Sequence, residues 1–251
     1  MTELSPDHRL VKDAVRLHRP DGRREQRAFL VEGLRAIEPF LAAGWEPQAV
    51  FARGDVDYPT AWPTPHRVGA RAATKLSQAT TPSGLVARFA LPTPPPLEPA
   101  AGGLALTGLS DPGNVGTLLR SAAAFAIADV ALIGGVDPYA HKVVQASAGA
   151  LARLRIHRLP ADAGLDGLRC VPAPIAALVV AGGEPPGRWR RQPCWLVVGG
   201  EADGIPDGWL APGDQRWSLP MHPGSESLNA AVAGSIALYL LAQQAMGQPG
   251  A

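Results

Sequence analysis

The chain is poor in cysteine: Cys170 and Cys194 are the only two among 251 residues. Two thiols cannot build a disulfide framework and are too few for a zinc site, so both read as buried, apolar-like side chains. Long hydrophobic runs are lacking as well. The longest candidate, Leu228 to Ala245, is broken by Asn229, Gly234, Ser235 and the Gln243–Gln244 pair, which argues against a membrane span. The opening residues, Met1 to Asp13, are charged and polar and hold no apolar secretion core, so cytoplasmic residence is the expectation. A net charge of only +1 says nothing, as a total, about partners. Neither G-x-G-x-x-G nor G-x-x-x-x-G-K-[ST] occurs. Without the first, and without an acidic ribose partner at the usual offset, a nicotinamide-dependent dehydrogenase is set aside; without the second, a P-loop is too. No internal repeat is present.

What remains is an ordinary globular composition, 46% hydrophobic and 18% charged, enough for a real core. Charge is uneven locally. Arg9, Lys12, Arg16, Arg19, Arg23, Arg24, Arg27 and Arg35 crowd the N-terminal region, and Arg188-Trp189-Arg190-Arg191 interleaves an aromatic with cations. Such patches are either phosphate contacts or a solvated arginine-rich surface. The Pro-rich stretch 91–103 reads as an extended spacer with no packed element. It divides the chain into a first domain, 1–90, and a second, 104–251. In the first, strands are expected at 27–31, 49–53 and 85–90, with a helix at 33–43 closed by Gly44 and a short one capped by Thr74; Pro39 fits that longer helix poorly outside its opening turn. In the second, apolar runs at 104–109, 130–134, 176–181, 195–199 and 216–219 alternate with helical patterns at 115–128, 141–151 and 228–245. That alternation predicts an α/β fold with a parallel sheet covered on both faces.

Three segments of the second domain sit at predicted strand C-terminal ends, where open parallel sheets place their ligand sites. The first runs from Leu109 to Arg120: Asp111-Pro112-Gly113 supplies a turn, Asn114 is the expected N-cap, and Gly116 and Arg120 share a helical face. A lone arginine beside a helix N-terminus suits an anion, with RNA one candidate. The second segment runs from Leu196 to Pro206, with glycines that admit a ligand against bare peptide groups; Glu201 there either recognises a hydroxyl or caps the next turn. In the third, Leu219 to Asn229, residues Ser225, Ser227 and Asn229 precede a long small-residue helix. Helix capping accounts for one of them but not for the cluster. His141 and His222 read as solvent-exposed or supporting histidines rather than general bases.

Together the three segments resemble the motifs of SpoU-type (TrmH-like) RNA 2′-O-ribose methyltransferases of the SPOUT superfamily. Asn114, Gly116 and Arg120 match its N-x-G-x-x-x-R motif; Gly199, Glu201 and Gly204 match G-x-E-x-x-G; Ser227, Leu228 and Asn229 match S-L-N. The stretch 137–150 looks like the family's middle region. Residues 23–33 and 81–87 look like the small ribosomal-protein-like RNA-binding domain that many members carry. Two departures stand out: Ala126 where the family often has glycine, and Gln145 where a basic residue is common.

The resemblance implies a C-terminal domain with a deep trefoil knot, an exception to the rule that chains do not thread loops. It implies S-adenosylmethionine held by Val198, Gly199, Gly200, Leu219, Met221 and Leu228, and a homodimer with its active site at the subunit interface. Arg120, Asn114, Glu201, Ser227 and Asn229 would be the catalytic set, with Arg23, Arg24 and Arg120 on RNA, either rRNA or tRNA. A sulfonium methyl is electrophilic enough that the reaction calls for no metal. Arg120 stays protonated, so orientation and electrostatic stabilisation suit it better than proton abstraction. The alternative is a non-catalytic RNA-binding protein of the same fold.

Overall fold

The computed structural model describes residues 3–93, 95–97, 102–170, 172–186, 194–201 and 203–246; the Arg188–Arg191 cluster lies outside them. In chain order the helices are α1 (Arg9–Arg16), α2 (Pro20–Gln26), α3 (Leu34–Ala42), α4 (Ala70–Leu76), α5 (Pro112–Ala124), α6 (His141–Ala146) and α7 (Ala230–Met246). The strands are β1 (Ala28–Glu32), β2 (Pro47–Arg53), β3 (His66–Val68), β4 (Leu85–Ala90), β5 (Gly103–Thr107), β6 (Asp129–Ile133), β7 (Arg155–Leu159), β8 (Ile175–Leu178), β9 (Trp195–Gly199) and β10 (Gln215–Trp217). They form two compact units. Unit 1 is the chain up to Thr93 together with Asp137–Ala152, and unit 2 is Pro94–Val136 with Arg153 onwards. The stretch 137–152, expected within the second domain, therefore clusters with the first unit.

Unit 1 is built on a four-stranded sheet in the order β1-β4-β2-β3. β4 is antiparallel to both β1 and β2, and β3 runs parallel to β2. Every residue of β1 is buried, because its alternate side chains feed two cores. Ala28 and Leu30 pack with Val11 and Ala14 of α1, with Leu17 just after it, and with Ala72, Ala73 and Leu76 of α4. Phe29 turns to the opposite face, where its ring centroid lies 4.9 Å from Tyr139, 5.8 Å from Phe40 and 6.0 Å from Phe89. The helices of this unit depart from expectation in three ways. α1 and α2 form where only a charge cluster was read. Thr74 lies inside α4, its Oγ1 donating to the Ala70 carbonyl at 3.0 Å, instead of capping it. Pro39 sits well inside α3 and packs so close to Gly149 that a Cβ there would lie 2.4 Å from Pro39 Cγ.

A buried polar network ties the 137–152 stretch into this unit. Arg23, 3% exposed, donates from Nε and Nη2 to Asp137 Oδ2 at 2.9 and 2.8 Å, and from Nη1 to the carbonyls of Leu17 and His18. Glu32 accepts from Ser77 Oγ at 2.7 Å and Ser83 N at 3.0 Å and pairs with His141 Nε2 at 3.3 Å. Gln145 donates to the Glu32 carbonyl at 2.9 Å. Burial pushes the Glu32 carboxyl up, but the hydrogen bonds from His141, Ser77 and Ser83 outweigh it and hold it down at about 2.

Unit 2 carries a six-stranded sheet in the order β10-β8-β9-β5-β6-β7, every neighbouring pair parallel. The expected parallel α/β sheet is present, with β7 as an additional edge strand. One face packs Ala105, Ala131, Ile133, Val197 and Trp195 against Leu165, Leu168 and Ile175. On the other, α7 approaches closely. A Cβ on Gly234 would fall 2.5 Å from Leu118 Cδ2 of α5 and 3.1 Å from Val198 Cγ2 of β9, so any larger residue would force these side chains to shift. The Ser121 and Ser235 hydroxyls, 2.7 Å apart, join the same two helices. The described part of the Pro-rich stretch holds no helix or strand until Gly103 opens β5, but it is attached: the Pro95 carbonyl lies 3.1 Å from His157 Nδ1, and Leu97 packs on the unit 2 core. Among the described residues no helix is long and apolar enough to cross a membrane.

Candidate active site

The first motif leaves β5 through Gly108 and Leu109 and enters α5 at Pro112. Asp111, not Asn114, caps this helix: its Oδ1 accepts the Asn114 N–H at 2.7 Å. Proline at the first helical position fits the cap immediately before it. Asn114 is thus inside the first turn with its side-chain amide free for other partners. It uses them both. Asn114 Nδ2 donates to Glu201 Oε1 at 2.5 Å, and Asn114 Oδ1 accepts from Asn229 Nδ2 at 3.1 Å.

Asn229 fixes the direction of this chain of bonds. Its Oδ1 accepts the Ala231 and Val232 N–H groups at 2.9 and 3.2 Å, capping α7. Because Oδ1 faces two donors, Nδ2 must point at Asn114, and the Asn114 amide must in turn present its N–H to a carboxylate. Asn229, Asn114 and Glu201 form one polarised line, brought together from three separate segments. Neither alternative left for Glu201 describes this bond, in which its Oε1 accepts the Asn114 side-chain amide; the capping expected of one residue among Ser225, Ser227 and Asn229 falls to Asn229.

The second motif needs its glycines for close backbone approach. A Cβ on Gly199 would stand 2.3 Å from the Gly204 carbonyl carbon, and the Gly204 N–H donates to Gly200 O at 3.0 Å, closing the turn that carries Glu201. Both segments lie at the C-terminal ends of the adjacent strands β5 and β9, where the chain's progression across the sheet reverses.

Beside the Asn229–Asn114–Glu201 line opens a cavity of about 600 Å³. All six residues expected to hold a cofactor, Val198, Gly199, Gly200, Leu219, Met221 and Leu228, are on its wall, with Glu201, Ser227 and Asn229. Sequence reasoning missed Leu178, Val179 and Val180 of the same wall. The signal was present, since these lie within the apolar run 176–181, whose strand β8 neighbours β9.

Arg120 is exposed on α5 and makes no hydrogen bond or ion pair among the described residues. Gly116, expected to share an open face with it, is buried; the surface beside the guanidinium is therefore not bare glycine backbone. Arg24 is exposed. Arg23, expected on RNA, is instead buried, with its guanidinium bound to Asp137 and to the Leu17 and His18 carbonyls. Gln145 likewise serves an internal bond to Glu32 and not an RNA contact. His222 is exposed, with Nδ1 2.8 Å from the Pro223 carbonyl. Burial pushes the Cys194 thiol up to about 12, whereas Cys170 is exposed, contrary to expectation.

A parallel α/β sheet with a polar line and a cavity at its strand ends defines an α/β protein with a candidate small-molecule site. Residues 103–239 match the SpoU rRNA Methylase family, and the chain belongs to that family. Residues 8–87 match the MRM3-like substrate binding domain. The 23S rRNA (guanosine(2553)-2'-O)-methyltransferase RlmP of Bacillus subtilis is 25% identical over 94% of this chain and 97% of its own length. A crystal structure of an RNA 2'-O ribose methyltransferase superposes with a TM-score of 0.82 at 29% identity, covering 98% of this chain and all of the other. The SpoU methyltransferase AviRb from Streptomyces viridochromogenes, solved with the cofactor AdoMet, shares the fold with a TM-score of 0.82 at 23% identity, over 96% of this chain and 100% of that one.

Proposed function

We propose that this protein transfers a methyl group from S-adenosylmethionine to a ribose 2′-hydroxyl of rRNA or tRNA. The observation that carries the reading is the Asn229–Asn114–Glu201 line along the cavity rim, with Arg120 unpaired on the same helix as Asn114. The cavity fits the cofactor on its own terms. Its size falls within the roughly 300–1,000 Å³ of small-molecule sites. Val198, Leu219, Met221 and Leu228 offer apolar wall to a base, and the Gly199–Gly200 backbone and Glu201 offer polar groups to an amino-acid moiety. Bound there, S-adenosylmethionine supplies an electrophilic methyl group on a positively charged sulfur.

The chain's own groups then have distinct tasks. Arg120, always protonated, holds an RNA phosphate and stabilises negative charge as it grows on the attacking oxygen. Asn114 and Asn229 hold Glu201 in one orientation, and Ser227 contributes a hydroxyl to the cavity wall. Pre-organisation of this kind supplies most of the rate when the reacting atoms must lie in line. Arg24 is assigned to the RNA surface. The reading includes the C-terminal trefoil knot, cytoplasmic residence and a homodimer. For the last, Leu228, Val232, Ile236 and Tyr239 form a stripe with exposures between 39% and 47%, at helical spacing, which a second copy would cover.

Mapping 2′-O-methyl positions in RNA from cells with and without the protein tests the reading, alongside calorimetry with S-adenosylmethionine. A position lost with the protein and micromolar cofactor binding support it. Cofactor-free behaviour by a folded chain would replace it with a non-catalytic RNA-binding role.

A further inference from the structure

The connection between β2 and β3, residues 54–65, carries twelve residues with no helix or strand, a length at which structureless loops in compact folds tend to be functional. It is nevertheless ordered by specific contacts. Val56 N–H donates to the Arg53 carbonyl at 3.1 Å, and Trp62 N–H to the Pro59 carbonyl at 3.0 Å. Val56 is seated so closely that a Cβ on Gly84 would lie 2.9 Å from its Cγ2. Pro59, Pro63 and Pro65 restrict the backbone further.

Tyr58 and Trp62 project from this stiffened loop, each half-buried. Neither belongs to the unit 1 core or the Phe29 ring cluster. The Tyr58 hydroxyl and the Trp62 indole N–H make no hydrogen bond among the described residues and, unlike the buried Trp195 indole N–H, are open to solvent, as suits amphipathic rings at a binding surface. Arg67 sets the Tyr58 ring from behind, its guanidinium carbon 5.6 Å from the ring centroid, while its Nη1 reaches the Arg53 carbonyl at 3.4 Å.

We infer that Tyr58 and Trp62 form a stacking platform for unpaired bases of single-stranded RNA. The inference rests on the RNA reading of the active site and names a contact outside it. Stacking on aromatic faces is how proteins grip unpaired bases without sequence readout. A phosphate-binding role is disfavoured by charge: Arg53 is paired with Asp55 at 2.5 Å, and Asp57 balances Arg67 across the segment. The grip therefore comes from ring faces, and removing one ring should leave the salt dependence of binding unchanged.

The test uses the full chain with a labelled twelve-nucleotide oligouridine and an A-form duplex of equal length. Trp62→Ala and Tyr58→Ala are expected to weaken oligouridine binding roughly five- to hundredfold each, with the slope of affinity against salt and the affinity for S-adenosylmethionine unchanged. Trp62→Phe, which keeps a π face, should recover most of the loss. Unchanged oligouridine affinity in both alanine variants overturns the platform, as does a wild type that binds no oligouridine. So does equal weakening by Trp62→Phe and Trp62→Ala with a lowered unfolding midpoint, which would mark a structural role. Failure of the enzyme reading is separable: a wild type that grips oligouridine through Trp62 but methylates no RNA keeps the platform and loses the enzyme.

Discussion

In unit 1, Glu32 and Arg23 are 4% and 3% exposed and bonded to several donors or acceptors at once. In unit 2, Asn114 is only half-buried, Glu201, Asn229 and Arg120 are exposed, and the line of amides ends in a carboxylate facing a cavity. The bonds are of the same kind and of similar length. What separates the two networks is saturation: buried groups that lack a partner cost several kcal/mol, so the interior network closes on itself. The exposed line can leave a cation unpaired because water covers it until a ligand does. Burial with full pairing marks what holds the fold, and exposure with fixed orientation marks what can react.

The largest effect is expected from breaking the interior side. Arg23→Ala takes the guanidinium from Asp137, whose Oδ1 keeps the Tyr139 N–H, and removes the donors to two backbone carbonyls, at a cost of about 3–5 kcal/mol. Denaturant unfolding of unit 1 reads it. Arg24→Ala, one residue on and exposed, should stay within about 0.5 kcal/mol. Equal effects of the two would erase the distinction.

On the exposed side the ranking reverses. Arg120→Ala and Arg120→Lys are expected to fold normally and to lose methyl transfer by about 10²- to 10³-fold, the usual consequence of removing one stabilising donor. Lysine fails because it lacks the planar fork. Wild-type turnover by both variants ends the assignment of Arg120.

Acid sharpens the contrast further. The Glu32 carboxyl, held at about 2 in the fold against an ordinary value of 4.5, stabilises unit 1 fully above the unfolded value. Protonation removes that stability as pH falls from about 5 towards 2, in total on the order of 3 kcal/mol. Glu32→Gln should be less stable at neutral pH and flatter through this window, as acid titration of the unfolding free energy would register. A difference between the two chains that is independent of pH would show that Glu32 is not charged in the fold.

The division also explains what the sequence made legible. Continuous apolar runs identified β5, β6 and β9, and the three motifs at strand ends located the cavity wall down to six residues. β7, with arginine at Arg155 and Arg158, hides its periodicity because an edge strand is charged on its open side. Asp111 and Asn114 are both good caps three residues apart, and only Pro112 between them discriminates. Arg23 looked like a surface cation because its partner, Asp137, lies far along the chain inside what read as the other domain. Local pattern cannot report a pairing closed by tertiary contact.

The smallest expected effect lies in neither network and calibrates both. α5 ends in a Schellman motif, with the Ile127 N–H on the Ala122 carbonyl at 2.9 Å and the Ala126 N–H on the Ala123 carbonyl at 3.3 Å. The motif places Ala126 at φ +58°, the left-handed region where a Cβ costs about 1–2 kcal/mol. This φ suits the glycine that the family resemblance leads one to expect here. Ala126 is exposed, so Ala126→Gly sacrifices no packing, and the added freedom of the unfolded chain returns only about 0.4–1 kcal/mol of the gain. A net stabilisation of about 0.5–1 kcal/mol is expected in denaturant unfolding, with methyl transfer unaltered, while Ala126→Val should destabilise because a β-branched side chain tolerates this φ worse. Stability moving while turnover stays still, the opposite of Arg120, is what a residue of the scaffold alone must do.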